Sequence, residues 1–222
     1  MNSSVAPLLD RMRDLALAPL HQVNQRHPWS HNDHFHRWIL ANLPARRCAA
    51  LEVGCGQGEL AATLAARFAR VDAADADPAM RAATARRCAG LPVTVLEGFA
   101  AARGPYDLIT MVASLHHLDT PQALAQCTDL LAPGGRLLVV GLARPTSPRD
   151  IAWFTASVLA NPIIGFAKHP RRHRGPPRPP AFPVRDPDES LGEVADLASD
   201  ALPGSRLRRR VGFRYTLQWT RP

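Results

Sequence analysis

Apolar and polar positions along this chain follow two rhythms. Short apolar runs at Ala49–Val53, Val71–Asp75, Pro92–Leu96, Tyr106–Val112 and Arg136–Gly141 read as strands. Between them the apolar residues recur every three or four positions. Leu60, Ala61, Leu64, Ala65 and Phe68 mark one helix. Met80, Ala83 and Ala85 mark a second, running to about Cys88. Pro121 to Leu131 marks a third, ended by Ala132-Pro-Gly-Gly135. Asp77-Pro78 opens the second helix, with aspartate at the cap and proline at the first helical position. The run PVTVL is rich in β-branched residues, which suit a strand. Strands alternating with helices predict a parallel sheet covered on both faces.

The flanks break this rhythm. Val5, Leu8, Leu9, Met12, Leu15 and Leu20 predict an amphipathic helix over residues 4–20, limited by Pro19. Ser30 or Asn32 caps a further helix to about Leu43, with Phe35, Trp38, Ile39 and Leu43 on one face. After Gly141, Ile151 to Leu159 reads as one helix and Glu189 to Ala198 as another. The stretch from Asn161 to Arg185 holds seven prolines and cannot be a regular element. Ser205–Val211 and Phe213–Thr220 predict two strands, an antiparallel pair added to the parallel sheet. The expected organisation is a helical cap over 1–44 and a main domain over 45–222. Within that domain a Pro/Arg-rich lid or insertion falls at about 146–201.

Composition narrows the function classes. A chain of 222 residues is one domain's worth, with no apolar run near the ~20 residues of a membrane span. The first 20 residues lack a basic-then-apolar export signal, so a soluble, cytoplasmic protein with no membrane partner is expected. Cys48, Cys55, Cys88 and Cys127 are scattered singly and read as free thiols. The net charge is +8, but 26 of the 27 basic residues are arginine, a bias typical of a GC-rich genome. Residues 168–185 and 206–221 each carry six basic residues and no acid. Such a face attracts a polyanion, or is simply solvated; the second reading is preferred.

The chemistry centres on Leu51-Glu-Val-Gly-Cys-Gly-Gln-Gly-Glu-Leu60, a strand, glycine turn and helix in succession. Glycines let the backbone turn sharply and approach a ligand closely. Asp75 ends the second strand, about 20 residues after the turn begins, where an acid accepts both ribose hydroxyls in nucleotide-type folds. Asp77, just before Pro78, is read as a helix cap instead. The turn is not G-x-G-x-x-G, and Glu52 precedes it by two positions. A carboxylate there repels a pyrophosphate and welcomes an ammonium. The ligand is therefore a nucleoside bearing an amino acid.

With these motifs the chain resembles the class I S-adenosylmethionine-dependent methyltransferases from about Ala49 to Gly141. LEVGCGQGEL, VDAADADPAM, PYDLITMVASLHHL and LLAPGGRLLVVG are similar to four of that family's motifs. WSHNDHFHRWIL and RYTLQW look like a subgroup of small bacterial members. The resemblance implies a Rossmann-like, doubly wound α/β sheet, mostly parallel with a C-terminal antiparallel strand, plus an N-terminal helical cap. It implies S-adenosyl-L-methionine as cofactor. Glu52 would bond the cofactor's amino group, and the backbone at Gly54, Cys55, Gly56 and Gly58 would pass its methionine portion. Asp75 would hold the ribose. Ala76, Gly98, Phe99 and Val112 would complete the cofactor site, with Phe99 flanking the adenine. Glu97-Gly98-Phe99 departs from the family, in which an acid often follows the glycine.

The family's active-site mouth corresponds to His116 and His117, and either could be a general base, with an ordinary pKa of about 6.5. The competing reading has one packed under a helix and the other exposed. His31, His34 and His36 have the spacing H-x-x-H-x-H, which no common zinc pattern matches, so no metal is expected. This helix would instead be a cap that closes over the cofactor, with Trp29, Phe35 and Trp38 giving apolar cover and His31 or Asn32 a polar contact at the substrate or lid side. VASL stands after the fourth strand in place of the Asn/Asp-Pro-Pro-Tyr/Phe of exocyclic-amine methylases. These features favour a small acceptor with an O, N or C nucleophile, such as a phenol, quinone precursor or natural-product intermediate. Two other readings stand beside it. One is an RNA or protein methylase using Arg171, Arg172, Arg174, Arg178 and Arg206 to Arg210. The other is a cofactor-binding protein without turnover.

Overall fold

The computed structural model describes residues 31–146, 185–210 and 214–222. The expected helices over 4–20 and 151–159 and the proline-rich stretch up to Val184 lie outside the described residues. Helix α1 spans His31–Ala41. Strand β1 (Ala49–Val53) leads through the glycine turn into α2 (Glu59–Ala65). Strand β2 (Arg70–Asp75), helix α3 (Pro78–Arg87) and strand β3 (Val93–Glu97) follow. Strand β4 (Tyr106–Val112), helix α4 (Thr120–Leu130) and strand β5 (Leu131–Leu142) come next. Helix α5 (Leu191–Ala201) and strands β6 (Arg206–Arg210) and β7 (Arg214–Thr220) close the chain.

The strands form one sheet in the order β3-β2-β1-β4-β5-β7-β6. β1 to β5 pair in parallel, while β7 inserts antiparallel between β5 and β6. All five residues of β1 and all seven of β4 are buried, as befits central strands covered on both faces. Alternation sorts them. Leu51, Val53, Ile109 and Met111 face the side covered by Ala123, Leu124 and Cys127 of α4 and Val194 and Ala198 of α5. Ala50, Leu108 and Val112 face the side covered by Phe35 and Ile39 of α1 and Leu60 and Leu64 of α2. Truncating one such core leucine to alanine costs about 2–5 kcal/mol.

Several element boundaries shift by a few residues from expectation, and two shifts have a visible cause. β5 begins at Leu131, so Ala132-Pro-Gly-Gly135 lies inside the strand. Its register on β4 jumps from Tyr106↔Leu131 to Leu108↔Arg136, and the turn is accommodated as an irregularity of the pairing. α5 begins at Leu191 and not at Glu189. Ser190 and Glu193 form a reciprocal capping box, each side chain bonding the other's backbone N–H. Glu189 stays outside, its carbonyl accepting from the Arg144 N–H at 2.7 Å and its carboxylate from Thr120 at 2.8 Å. Edge strand β6 carries four arginines, a charged rim that discourages pairing with other chains. All four cysteines are free thiols. Among the described residues, no helix is long and apolar enough to cross a membrane.

Strand order reverses direction between β1 and β4, the place where open α/β sheets leave a crevice at their carboxyl ends.

Candidate active site

The turns after β1 and β4 meet at that crevice. Gly54 has φ +76°, and a Cβ there would lie 2.4 Å from the Cβ of Ser114. Only glycine meets both demands. Ser114 fixes the approach by donating its hydroxyl to the Val53 carbonyl at 2.5 Å. Beside it Ala113 adopts φ 55°, a left-handed conformation uncommon for a residue with a Cβ. The Gly54 and Cys55 N–H groups both donate to the Ala74 carbonyl, at 2.8 and 3.1 Å.

Asp75 stands at the end of β2, half-buried. One carboxylate oxygen accepts the Gly56 N–H at 2.8 Å and the other the Asp77 N–H at 2.9 Å. A carboxylate has about four acceptor positions, so each oxygen keeps unused capacity. Asp77 is the helix cap expected of it, accepting from the N–H groups of Ala79 and Met80. Arg81 pins this turn from outside, donating to the carbonyls of Asp75 and Ala76 at 3.0 and 2.8 Å.

Glu52 lies on β1 with 3% of its surface exposed. Its carboxyl accepts a backbone hydrogen bond from Ala61, yet Oε2 has no partner among the described residues. Burial, with the charges of Asp75 and Glu59 nearby, raises its pKa well above the usual 4.5. An unsatisfied buried acceptor costs about 1–3 kcal/mol, so it calls for an explanation.

On the β4 side a short 3₁₀ turn, Leu115–His117, carries two histidine rings 4.2 Å apart. They border a cleft of about 360 Å³ also lined by Asp119, Thr120, Arg185, Asp188 and Glu189. His116 is half-buried, and burial lowers its pKa to about 4, helped by the charges of His117 and Arg214. A hydrogen bond to the Arg185 backbone opposes that shift. Nδ1 of His116 has no partner among the described residues. His117 is exposed.

The methyltransferase-domain family matches residues 51–137, which span β1 to β5. An uncharacterized methyltransferase of Mycobacterium tuberculosis is 32% identical over 200 residues, covering 88% of this chain and 98% of that one. The chain belongs to the class I S-adenosylmethionine-dependent methyltransferases. A ubiquinone biosynthesis O-methyltransferase of Xanthomonas oryzae is 26% identical over 196 residues, covering 83% of this methyltransferase and 81% of that one. The magnesium protoporphyrin IX methyltransferase of Synechocystis, solved with bound S-adenosylmethionine, shares the fold. Its TM-score is 0.52 at 18% identity, over 95% of this chain and 83% of that chain.

In this methyltransferase, Glu52, Gly54, Cys55, Gly56, Asp75 and Ala76 converge after β1 and β2, and Gly58 caps α2. Gly98 follows β3 with φ +79° and open space beside it, its N–H donating to the Asp75 carbonyl at 3.1 Å. Phe99 opens the 3₁₀ turn that follows Gly98. It is 8% exposed and clusters with Ala74, Leu115 and Leu124, because the 3₁₀ turn after Gly98 rolls it into the core. The Glu97 side chain is 85% exposed, with Arg81 3.5 Å away. Val112 and Phe35 are buried in the cluster on the α1–α2 face. His31 and Asn32 open α1, and Trp29 lies outside the described residues. Among those residues no group of three or more His, Cys, Asp or Glu side chains is placed to hold a metal.

The cleft residues Asp119, Thr120, Asp188 and Glu189 escaped the sequence reading, and so did two residues packed against the glycine loop, Ser114 and Thr84. Ser114 gives no signal in one dimension, because its role is a contact with Gly54. Thr84 gives a faint one: it follows Met80 by four positions, so a hydroxyl stands on the buried face of α3.

Proposed function

We propose that this methyltransferase moves the methyl group of S-adenosylmethionine to a hydroxyl oxygen of a small molecule bound in the cleft beside His116. The observation that carries this reading is His116 itself. A histidine that borders the cleft and that burial keeps neutral can accept the proton that a hydroxyl nucleophile must lose. The likeness to a relative named as a ubiquinone biosynthesis O-methyltransferase supports a phenol or quinone-precursor acceptor.

The residues on the other side of the crevice fit the cofactor. The orphaned Glu52 oxygen suits its ammonium, and the spare acceptor capacity of Asp75 suits the two ribose hydroxyls. The backbone from Gly54 to Gly58 would border its methionine portion. Ala76, Val112 and the open position at Gly98 would border the adenine, with Phe99 supporting that turn from the core. When bound, the cofactor supplies an electrophilic methyl on a sulfonium that carries its own leaving group. The chain's part is to align the acceptor, exclude water and remove one proton. Choice of acceptor is assigned to the helical cap over 1–44 and the lid at about 146–201. The latter's described end, Arg185 to Glu189, lines the cleft.

The test incubates the protein with methyl-labelled S-adenosylmethionine and a panel of catechols, amines, total RNA and protein. Label is expected on a phenolic oxygen. Label on RNA alone, lost between low and physiological salt, would mean that exposed Arg206, Arg208 and Arg209 hold a polyanion instead. Cofactor binding with no transfer to any acceptor would mean a binding protein.

A further inference from the structure

Three consecutive carbonyls of the glycine loop are each taken by a side chain of α3 or its cap. Thr84 donates its hydroxyl to the Gly56 carbonyl at 2.8 Å. Arg87 donates Nε–H to the Gln57 carbonyl at 2.7 Å. The Cys88 thiol donates to the Gly58 carbonyl at 3.7 Å, a sulfur distance. Positions 84, 87 and 88 are three and four residues apart, so they share one helix face. The contact is close as well as polar: a Cβ on Gly58 would lie 2.9 Å from Thr84 Cγ2. Thr84 also receives the Cys55 side chain, whose sulfur lies 3.4 Å from its hydroxyl oxygen. That hydroxyl spends its proton on Gly56, so the Cys55 thiol is the donor. Burial, followed by the Glu52 charge, pushes this thiol up to about 12 and keeps it protonated.

We propose that Thr84, Arg87 and Cys88 are positioning residues that clamp the carbonyls of the glycine loop and so hold its backbone ready for the cofactor. The inference rests on the reading that this loop borders S-adenosylmethionine. A loop free to rotate its peptides would turn some carbonyls into the crevice, where they repel the cofactor's carboxylate. It would also lose conformational freedom at each binding event. A loop already held avoids both. The opposite side of the loop is tied independently, by the Ala74 carbonyl and the Asp75 carboxylate. The clamp from α3 therefore completes a hold on both sides. Thr84 touches no reacting atom; its effect passes through the Gly56 peptide.

The test measures affinity for S-adenosylmethionine by calorimetry, kcat, and the thermal midpoint of the ligand-free protein. The variants are Thr84→Val, Thr84→Ser, Arg87→Ala and Asp75→Ala. Thr84→Val keeps the shape and removes the hydroxyl. It is expected to weaken affinity about tenfold while kcat at saturating cofactor stays within threefold, and Thr84→Ser restores affinity. Arg87→Ala changes a half-exposed side chain and is expected to weaken affinity three- to fivefold with the thermal midpoint unchanged. Thr84→Val and Arg87→Ala within twofold of wild type, with Asp75→Ala at least tenfold weaker, overturns the clamp and leaves the site reading intact. The same holds if Thr84→Val lowers midpoint, kcat and affinity together and serine does not rescue it. Unchanged affinity in Asp75→Ala, with wild-type binding intact, takes down the site reading and the clamp with it.

Discussion

On the β1–β2 side of the crevice, the polar contacts are made largely by backbone. Gly54, Cys55, Gly56 and Asp77 donate through their N–H groups, and Gly56, Gln57 and Gly58 accept through their carbonyls. On the β4 side the working groups are side chains around an open cleft: two histidines, Asp119, Thr120 and Glu189. Most of these backbone groups are held from outside the crevice by the side chains of Asp75, Thr84, Arg87 and Cys88, so substitution reaches that geometry only through its supports. Side-chain contacts change with one mutation. A protein that keeps one cofactor and adapts its acceptor would divide the work in this way, with the invariant partner on the backbone side.

That division can be broken experimentally, and the largest expected effect lies at its hinge. Gly54→Val puts a branched side chain at φ +76° with its Cβ 2.4 Å from Ser114. Cofactor binding should fall more than a hundredfold, or the β1–β4 junction should open and the thermal midpoint drop with it. Tight binding in a normally folded Gly54→Val protein would refute the packed junction.

His116→Gln comes next. It should lower kcat by about 10²–10⁴-fold, the usual share of a general base, with cofactor affinity within twofold. Equal losses in both would show that the two sides are not separable. The pH profile sharpens the point. His116 has its pKa lowered to about 4 from 6.5, so its neutral form persists as pH falls through 6.5. The acid limb of kcat should therefore lie near pH 4. The same depression adds stability that is present above pH 6.5 and is lost as pH falls toward 4. A limb near 6.5 would point to another base.

Glu52 shows the opposite sign. Its folded-state pKa is raised, so the protonated native form is favoured. That contribution is complete below the ordinary 4.5 and is lost as pH rises toward the raised value. Glu52→Gln should flatten the pH dependence of the ligand-free midpoint above pH 4.5. It should also weaken cofactor affinity about tenfold, because an amide oxygen accepts from the ammonium without the charge. A midpoint that still falls over the same range would assign the dependence elsewhere.

The smallest effect is expected at Glu97→Ala. Its carboxylate is 85% exposed and 3.5 Å from Arg81. A solvated ion pair of that kind contributes about 0–1 kcal/mol, so affinity should change less than twofold. A larger loss would bring Glu97 into the site.

Much of the molecule was legible in one dimension, for a physical reason. The central parallel strands are buried on both faces, so they appear as mostly apolar runs broken only by Glu52 in β1 and by Asp107 and Thr110 in β4; both strands were read to the residue. Asp77-Pro78 is a local signal, and it caps α3 as read. Capping and periodicity live within a few residues of each other. Where distant segments settle the matter, the reading slipped. Ala132-Pro-Gly-Gly135 reads as a turn, but its pairing with β4 absorbs it into β5. Ser114 and Thr84 are ordinary polar residues until the fold brings them against Gly54 and Gly58.

The sequence by itself determined the class of chemistry, because the family's motifs are residues written at fixed separations along the chain. It determined the strand and helix order for the same local reason. Tertiary structure alone decided three other things. The two histidines were divided into one neutral and half-buried and one exposed. Glu52 was left with an oxygen lacking any partner among the described residues. The loop's carbonyls were matched to one face of α3. Burial and orphaned hydrogen-bonding groups depend on what packs from far along the chain, and no spacing of neighbours records that.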